Sequence, residues 1–327
     1  MGEFELIDAI VAELGAASAS PAVVVGPGDD AAVVAMPAGH QLVTSVDSLV
    51  ADIHFPLNAP PRLIAERALR VSVSDLAAMG ATPLAAVVAL VLPTTTKPNW
   101  VRDLSAGFAS AAAILGCPIT GGNLTGGALS LSVTVQGVVP DGVALLRRGA
   151  GVGDDVWVSG ALGGAAFALS QDARGQDRLD QVDAHGAGMN LAQQRYFLPA
   201  SRIELGVALR ELATSAIDIS DGLAADLGHI ARASGVSVEL TSSQIPTFSG
   251  ATLAQALHGG DDYELCFTAP PACSEQIKKC APDAVVIGRC VEASNSVALR
   301  MDGQPLEERG FDHFEASVVT NGVAGND

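Results

Sequence analysis

Apolar runs that contain acidic residues are the main feature of this chain. The pair Asp29 and Asp30 lies between two apolar runs in VVVGPGDDAAVV (23–34), and both runs have the composition of buried strands. Acids recur in similar surroundings in TSVDSLV (44–50), RVSVSDLAAMGA (70–81) and SAIDISDGLAADLG (215–228). An ionised carboxylate among apolar side chains is costly unless a cation accompanies it, and neighbouring carboxylates repel each other. Because few bases lie nearby, hard divalent cations with oxygen ligands are the simplest explanation.

The periodicity of the first half alternates between that of helices and that of strands. Apolar residues recur at helical spacing over 3–14 and again over 60–79, where Asp75 lies about one turn beyond the apolar stripe. The remaining pattern predicts strands at 23–34, 41–50, 83–92 and 129–139, a helix at 99–115 and a glycine-rich loop at 118–127. We therefore expect Asp75 to face the acids at the strand ends.

The second half shows the same alternation after a basic step at Arg147 and Arg148. Its pattern predicts a strand at 155–159 followed by a helix, a polar excursion at 171–185, helices at 196–212 and 222–234, and strands at 216–221, 236–240 and 263–268. Helices and strands that alternate in both halves predict the α/β class. We place a domain boundary at the basic step, which gives domains at 1–146 and 147–316 and a disordered tail at 317–327.

Composition narrows the class of partner. The 327 residues are 49% hydrophobic and 17% charged, which is typical of a globular protein long enough for two domains. With 18 bases against 36 acids, the net charge of −18 disfavours nucleic acid and anionic membranes as partners. Five cysteines without a CxxC pair predict free thiols. Because no signal peptide or membrane-spanning run is present, we expect a soluble, cytoplasmic protein.

Each acid of the candidate metal site also has an ordinary structural explanation. Gly28–Asp30 could form a turn, Asp47 could cap a helix, Asp75 could be a surface residue and Asp221 could start a helix. Asp218, however, lies inside an apolar strand and needs a partner. The occurrence of several such acids on adjacent apolar elements favours metal binding. Because Mg²⁺ usually takes only one or two carboxylates, this number of acids predicts more than one ion.

The glycine-rich segment 121–127 is the candidate phosphate-binding element. It has no P-loop lysine and does not fit G-x-G-x-x-G, so by pattern alone it is a turn whose backbone N–H groups can approach a phosphate. Arg147 and Arg148 are either a solvated pair or a fixed cation beside that phosphate. His54 and the other histidines show no metal-ligand spacing. Cys117 has no activating neighbour and is expected to be a buried thiol.

Seven motifs in unbroken order resemble those of the thiamine-monophosphate kinase family. They are GDD, TSVDSLVADIHF, RALRVSVSDLAAMGATP, GGN, SAIDISDGLAADLGHI, GGDDYEL and GFDHF, and they extend over nearly the whole chain. The resemblance implies the two-domain α/β (α+β) fold of aminoimidazole-ribonucleotide synthetase, in which the N-terminal domains of a homodimer form a β-barrel. It also implies ATP-dependent phosphorylation of thiamine monophosphate, the final step of thiamine diphosphate biosynthesis, with several Mg²⁺ ions.

The resemblance also implies a role for individual residues. The positions that match magnesium ligands are Asp30, Ser45, Val46 (through its backbone only), Asp47, Asp75, Asn123, Asp218 and Asp221. Those that match ATP contacts are Gly121, Gly122, Asn123, Arg147 and Ser220. Those that match contacts to the thiamine substrate are His54, Asp261 and Phe311.

Three positions depart from the pattern of the family. Asn123 stands where many relatives have Asp, which makes that metal contact neutral and weaker. Gly126 replaces an arginine that is common soon after this motif. Asp261 is shorter than the glutamate that is frequent on the substrate side, which reduces its reach.

The implied reaction is direct in-line transfer of the γ-phosphoryl group of ATP to a phosphate oxygen that is already anionic. It needs neither a general base nor a covalent enzyme intermediate. Two alternatives stay open. One is another ATP-dependent enzyme of the same superfamily, such as an amidine-forming ligase or a selenophosphate synthetase, although the latter carries a reactive Cys near its start and the first cysteine here is Cys117. The other is a magnesium- or nucleotide-binding regulator with weakened activity.

Overall fold

The computed structural model describes residues 3–183, 186–294 and 296–311. The elements of the first half are α1 (Glu3–Leu14), β1 (Val23–Val25), β2 (Val33–Val34), β3 (His40–Val50), α2 (Pro61–Ala78), β4 (Thr82–Leu92), α3 (Pro98–Leu115), β5 (Ile119–Gly126) and β6 (Ser130–Pro140). The three helices lie within two residues of their predicted bounds. Pro61 and Pro98 stand in the first turns of α2 and α3, where a missing N–H costs nothing.

A four-stranded sheet is the centre of the first half. Its order is β3-β6-β4-β5, antiparallel except for the parallel pair β4 and β5. One face is buried in a core that includes side chains of α2 and α3, and alternate residues of β6 point into it: Leu131, Val133 and Val135. On β3 the alternation leaves the following side chains exposed on the other face: Leu42, Thr44, Val46 and Ser48.

The glycine-rich segment predicted as a loop at 118–127 is a strand. Residues 119–126 form β5, which pairs in parallel with β4 from Ile119 to Gly126. A Cβ atom on Gly122 would lie 2.0 Å from the carbonyl oxygen of Val88, so the two backbones approach more closely than any side chain would permit. The loop prediction was wrong because glycine here reflects close strand pairing.

The two apolar runs around the Gly-Asp-Asp motif are not buried strands. They form only the short antiparallel pair β1 and β2, of three and two residues. The side chains of Val24 and Val33 are 65% and 51% exposed. Asp29 and Asp30 are therefore exposed as well, and the prediction of apolar surroundings was wrong for this motif within the single chain.

The second half contains a seven-stranded sheet of order β13-β12-β9-β11-β7-β10-β8, antiparallel except between β12 and β9. Its elements are β7 (Asp155–Val158), α4 (Gly164–Ala173), α5 (Leu191–Phe197), α6 (Ile203–Leu209), β8 (Ser215–Asp218), α7 (Leu223–Ser234), β9 (Ser237–Leu240), α8 (Leu253–His258), β10 (Leu265–Ala269), α9 (Ser274–Cys280), β11 (Val285–Val291), β12 (Leu299–Met301) and β13 (Gln304–Pro305). The mixture of sheets and helices confirms the predicted α/β fold class.

The helix predicted at 196–212 is two shorter helices. α5 ends at Phe197 and α6 begins at Ile203, with Pro199 between them. Proline lacks the N–H that a helix interior needs, and it disfavours helical geometry in the residue before it. The predicted disordered tail at 317–327 lies outside the described residues and stays a prediction.

α2 is buried on nearly all sides and packs against both halves. Fourteen of its 18 residues are buried. It contacts α3, β3 and β6 from the first half and α5, α6 and β8 from the second. A Cβ atom on Gly206 of α6 would lie 2.0 Å from the carbonyl oxygen of Ala77, which shows how closely the two helices approach. Across the described part of the chain, none of the helices has the length and apolar character needed to span a bilayer.

Candidate active site

The C-terminal half of α2 collects the acids of both halves. Asp75 accepts a hydrogen bond from the hydroxyl of Ser45 on β3. One residue earlier, Ser74 donates to Oδ2 of Asp218 at the end of β8, over 2.7 Å. Strand β3 thus delivers Ser45, and by alternation Asp47, to the same place where β8 delivers Asp218. Four predicted metal ligands, Ser45, Asp47, Asp75 and Asp218, meet here from three distant parts of the sequence.

Burial and the charge of Asp75 raise the pKa of two carboxyl groups of this cluster. Burial, followed by the charge of Asp75, raises the pKa of Asp47 to about 6, although a hydrogen bond from Ser72 opposes the rise. Burial and then the charge of Asp75 also raise the pKa of Asp218, with a smaller contribution from Asp47. Desolvation and like charge both disfavour the ionised form, so ionisation of the cluster is energetically unfavourable in the free protein.

Among the described residues, no ion pair offsets the charge of this cluster. Among the ion pairs formed within residues 3–183, 186–294 and 296–311, none includes Asp47, Asp75 or Asp218. Within the same ranges, no three Asp, Glu, His or Cys side chains group closely enough to hold one metal ion. The carboxylates and serine hydroxyls nevertheless form a set of hard oxygen donors. This set fits Mg²⁺, which usually takes one or two carboxylates and fills its shell with water and phosphate oxygens.

The corner between β8 and α7 carries the second acid pair. The carboxylate of Asp226, in the first turn of α7, accepts hydrogen bonds from the N–H groups of Asp221 and Gly222, each over 3.1 Å. Burial and then the charge of Asp221 raise the pKa of Asp226 to about 7. Asp226 was not predicted as a site residue from the sequence. Its two hydrogen bonds fix the backbone of the corner that contains Ser220 and Asp221.

Two predicted metal ligands, Asp30 and Val46, have exposed side chains, unlike Ser45, Asp47, Asp75 and Asp218. Asp30 is exposed in the segment between β1 and β2, and its N–H donates to Oδ1 of Asp29 over 2.9 Å. Asp30 is not among the groups that raise the pKa of Asp47. The side chain of Val46 is 60% exposed on the opposite face of β3, so only its backbone faces the cluster side.

The predicted ATP-contacting residues lie on three different elements. Gly121, Gly122 and Asn123 belong to β5 at the edge of the four-stranded sheet, with the last two exposed. Arg147 is exposed, and its carbonyl accepts a hydrogen bond from Ser234 Oγ at the end of α7 over 3.3 Å.

His229 connects Arg147 to the corner at the start of α7. Burial, Arg232 and Arg147 lower the pKa of His229, whereas Asp221 raises it. The side chain of His229 therefore lies within electrostatic reach of both Arg147 and Asp221.

The GGDDYEL loop is tied to this corner by its backbone. The N–H of Asp261 donates to the carbonyl of Ser220 over 2.7 Å, and the N–H of Tyr263 donates to that of Ile219 over 2.8 Å. Asp261 and Tyr263 have φ angles of 64° and 51°, which are uncommon for residues other than glycine. The N–H of Phe311 donates to the carbonyl of Asp221 over 3.0 Å. Two predicted substrate residues are thus anchored to the predicted metal corner.

The other acids of this loop have their own partners. Glu264 is 1% exposed and is held by Arg195 (2.9 Å), by Arg202 (2.6 and 2.7 Å) and by the hydroxyl of Ser159. Asp262 accepts the N–H of Gly163, just before α4, with both oxygens over 2.8 and 2.9 Å. Burial raises the pKa of Asp262 to about 7 in spite of that hydrogen bond.

Arg67 of α2 joins the two remaining substrate-side elements. Its NH2 group donates to both oxygens of Asp261, over 2.7 and 2.6 Å, and its Nε donates to the carbonyl of His54 over 3.1 Å. NH1 donates to the carbonyl of Tyr196, whose hydroxyl also donates to His54 over 2.9 Å. His54 and Asp261, which the resemblance assigned to the substrate, therefore share one guanidinium.

Several residues that organise the candidate site went unrecognised in the sequence. Arg67 and Ser74 occupy buried positions of α2, and the only signal was a charged or polar residue within an apolar helical stripe. Glu264 stands within the GGDDYEL motif, where its burial was not predictable. Ser74 and Asp218 are 144 positions apart along the chain, and Glu264 is 69 and 62 positions from Arg195 and Arg202. Spacing in the sequence therefore gives no indication of these pairs.

Comparison with known proteins first gives the class. Residues 28–139 match the family described as AIR synthase related protein, N-terminal domain, and residues 151–300 match AIR synthase related protein, C-terminal domain. The chain is therefore a two-domain protein of the AIR synthase-related class.

Individual relatives then give the family. A thiamine-monophosphate kinase of Haemophilus influenzae is 36% identical over 97% of this chain and 99% of its own length. The crystal structure of thiamine-monophosphate kinase from Stenotrophomonas maltophilia K279a has a TM-score of 0.82 and 37% identity, covering 94% of this chain and 98% of its own. A structure of AaThiL complexed with AMPPCP and TMP has a TM-score of 0.74 and 30% identity, covering 96% and 97%. The chain belongs to the thiamine-monophosphate kinase family.

Proposed function

We propose that this chain transfers the γ-phosphoryl group of ATP to the phosphate of thiamine monophosphate and so forms thiamine diphosphate. The observation that carries the proposal is the cluster of Asp47, Asp75 and Asp218, which lies beside the corner at Ser220 and Asp221 and has no cationic partner in the part of the chain that the structure describes. A relative with 30% identity binds both AMPPCP, an ATP analogue, and TMP. Family membership supports the acceptor, and the uncompensated acids support the phosphoryl chemistry.

The residues that would hold Mg²⁺ are those of the acid cluster and its surroundings. We assign this role to Asp30, Ser45, the backbone of Val46, Asp47, Asp75, Asn123, Asp218 and Asp221. Magnesium bound there would neutralise charge between two polyanions, because two unit charges 4 Å apart repel by about 4 kcal/mol at an effective dielectric constant near 20. Asp30 and Asn123 are exposed, one between β1 and β2 and the other on β5.

The chain itself positions the two substrates. Gly121, Gly122, Asn123, Ser220 and Arg147 are assigned to ATP, with exposed backbone at the edge of β5 and a cation beside α7. Catalysis of phosphoryl transfer depends mainly on placement and electrostatic stabilisation. The attacking phosphate oxygen is already anionic, so no side chain is needed to remove a proton. We propose no covalent enzyme intermediate.

His54, Asp261 and Phe311 are assigned to the thiamine substrate. They come from three separate segments, and hydrogen bonds to Arg67, Ser220 and the Asp221 backbone hold them around the corner. The shorter Asp261 therefore stands in a fixed place, which favours a role in recognition in spite of its reduced reach.

The assembly is a further part of the proposal. The outer face of the four-stranded sheet exposes Leu42, Val46 and Val87, which are 50%, 60% and 39% exposed. Apolar patches of this kind are typical of protein interfaces. We propose that this face forms the homodimer and that the chain divides at residue 147 into two domains. The five unpaired cysteines support a reducing, cytoplasmic location.

A steady-state assay with thiamine monophosphate, ATP and Mg²⁺ tests the function. We expect thiamine diphosphate and ADP in equal amounts, and no labelled protein when [γ-³²P]ATP is supplied without acceptor. ATP turnover at a rate that does not depend on thiamine monophosphate would instead support another ATP-dependent enzyme of the superfamily. Nucleotide binding without turnover would support the regulator. A light-scattering mass of one chain would contradict the dimer.

A further inference from the structure

We propose that Arg67 is a positioning residue for the acceptor substrate, whose guanidinium fixes Asp261 and the His54 segment in one arrangement and so sets the affinity for thiamine monophosphate. The inference rests on the proposed function, because it concerns the acceptor side of the same site. It adds a residue whose role neither the sequence motifs nor the comparisons assign.

The contacts of Arg67 use the full shape of a guanidinium. Three different nitrogens donate to three separate groups: the carboxylate of Asp261, the carbonyl of His54 and the carbonyl of Tyr196. The guanidinium carbon also lies 4.2 Å from the centre of the Tyr196 ring. An ammonium group offers a single point of charge and could not make this fork of contacts. The position therefore selects for arginine.

The second observation is the placement of Arg67 along α2. Arg67 and Ser74 are seven residues apart, so they lie on nearly the same face of the helix, two turns and about 10 Å from each other. Ser74 holds Asp218 of the acid cluster, whereas Arg67 holds Asp261 of the substrate loop. One rigid helix thus fixes the distance between the metal side and the acceptor side.

The charge balance of the loop also depends on Arg67. Asp261 shares its loop with Asp262 and Glu264, and its own side chain is 21% exposed while that of Arg67 is 2% exposed. Burial lowers the pKa of Arg67, but the neighbouring Asp261, Tyr196 and Tyr263 together outweigh this and raise it, so the guanidinium stays charged. A carboxylate has about four acceptor sites, which leaves Asp261 able to bind a donor of the substrate while Arg67 holds it.

Backbone geometry explains why a holding group is needed. Asp261 has a φ angle of 64°, which an ordinary residue adopts only when its surroundings enforce it. The hydrogen bond from its N–H to Ser220 fixes one side of the residue, and the two bonds from Arg67 fix the other. Without Arg67 the carboxylate would lose both of its charged hydrogen bonds, and of the side-chain contacts described for it only the hydrogen bond with Tyr263 would remain.

The test measures the affinity of each substrate separately in Arg67→Met, Arg67→Lys and Asp261→Asn. Calorimetric titration gives the Kd for thiamine monophosphate and for AMPPCP with Mg²⁺, and steady-state kinetics give KM and kcat. We expect Arg67→Met to weaken binding of thiamine monophosphate by about tenfold or more and to leave the Kd for AMPPCP within about twofold. In the double variant Arg67→Met with Asp261→Asn, the fold loss of affinity for thiamine monophosphate should be smaller than the product of the two single losses. The reason is that the double variant contains no unpaired carboxylate at position 261.

Arg70→Met is the matched control. Arg70 lies one turn along the same helix, is 12% exposed and pairs with Glu66, but it contacts neither His54 nor Asp261. It should lose comparable thermal stability without a selective loss of thiamine monophosphate affinity. If Arg67→Met does not fold, Arg67→Lys keeps the charge and should show a smaller but still selective loss.

Two results would overturn the inference. One is binding of thiamine monophosphate within threefold of wild type in the folded Arg67 variants, and the other is an equal loss of affinity for both ligands, which a merely structural role would produce. A wild-type protein that neither binds nor phosphorylates thiamine monophosphate would instead contradict the proposed function, before any variant is compared.

Discussion

Two groups of acids in this molecule differ in their partners. On the substrate side, Asp261 and Glu264 each have arginine partners within hydrogen-bonding distance. On the metal side, Asp47, Asp75 and Asp218 receive hydroxyl hydrogen bonds, but no ion pair in the described ranges includes them. Arg67, which pairs with Asp261, and Ser74, which bonds to Asp218, lie about two turns apart on one face of α2.

The difference separates structural charge from functional charge. A carboxylate that meets an arginine inside the protein is already neutralised, so it can define a shape and orient neighbours. Carboxylates that lie close together without a cation raise one another's pKa. Their ionised form is stabilised when a cationic ligand binds. The acids that destabilise the free protein are therefore the ones we assign to Mg²⁺.

The largest expected effect follows from Asp75→Asn. Its carboxylate accepts from Ser45 and raises the pKa of both Asp47 and Asp218, so it stands at the centre of the uncompensated group. We expect kcat to fall by about 10³-fold, because charge neutralisation in the transition state is lost. Thermal unfolding without metal should occur at the same temperature or higher, since one repelling charge has gone. Turnover within tenfold of wild type would remove Asp75 from the site.

Glu264→Gln should show the opposite behaviour. This change leaves Arg195 and Arg202 in place without their shared carboxylate, and breaking a buried pair costs about 3 kcal/mol or more. The melting temperature should fall by about 5 °C or more, whereas kcat measured well below that temperature should stay within about tenfold. Asp180→Asn, which removes the partly exposed pair with Arg178, is the control and should change the melting temperature by less than about 1 °C. A stable but inactive Glu264 variant would contradict the division.

A smaller effect should appear in the pH dependence of the metal-free protein. Asp47 has a pKa of about 6 in the folded chain, above its ordinary value, so the folded state binds this proton more tightly than the unfolded state. Stability from this group is present below about pH 4 and is lost as the pH rises through about 6. Melting temperatures in EDTA should therefore decline by a few degrees between about pH 5 and about pH 8, and less so in Asp47→Asn. A rise over this interval that is equal in both proteins would contradict the account.

Regular elements with a clear period were predictable from the sequence. α1, α2 and α3 carry apolar residues at helical spacing, and β6 alternates cleanly, so periodicity alone located them. β5 was missed because its glycines have no side chains to alternate. The break between α5 and α6 was missed because the helix predicted at 196–212 included Pro199, which in the structure lies between the two helices.

The candidate site was predictable only as a set of residue types. Isolated acids in apolar runs indicated Asp47, Asp75 and Asp218, and the structure brings these together. The opposite treatment of Asp261 was not predictable, because Arg67 lies 194 positions away and the pairing exists only in the folded chain. The surroundings of Asp30 were predicted wrongly, since a short exposed strand pair and a buried one share the same valine-rich pattern.

The most direct test of this account is a calorimetric titration of Mg²⁺ into the protein saturated with AMPPCP, corrected for Mg²⁺ binding to free nucleotide. The account predicts saturable binding of Mg²⁺ to the wild-type complex, weakened by about tenfold or more in Asp75→Asn and unchanged in Glu264→Gln. If wild-type and Asp75→Asn complexes took up Mg²⁺ identically, the uncompensated acids would not be the metal site.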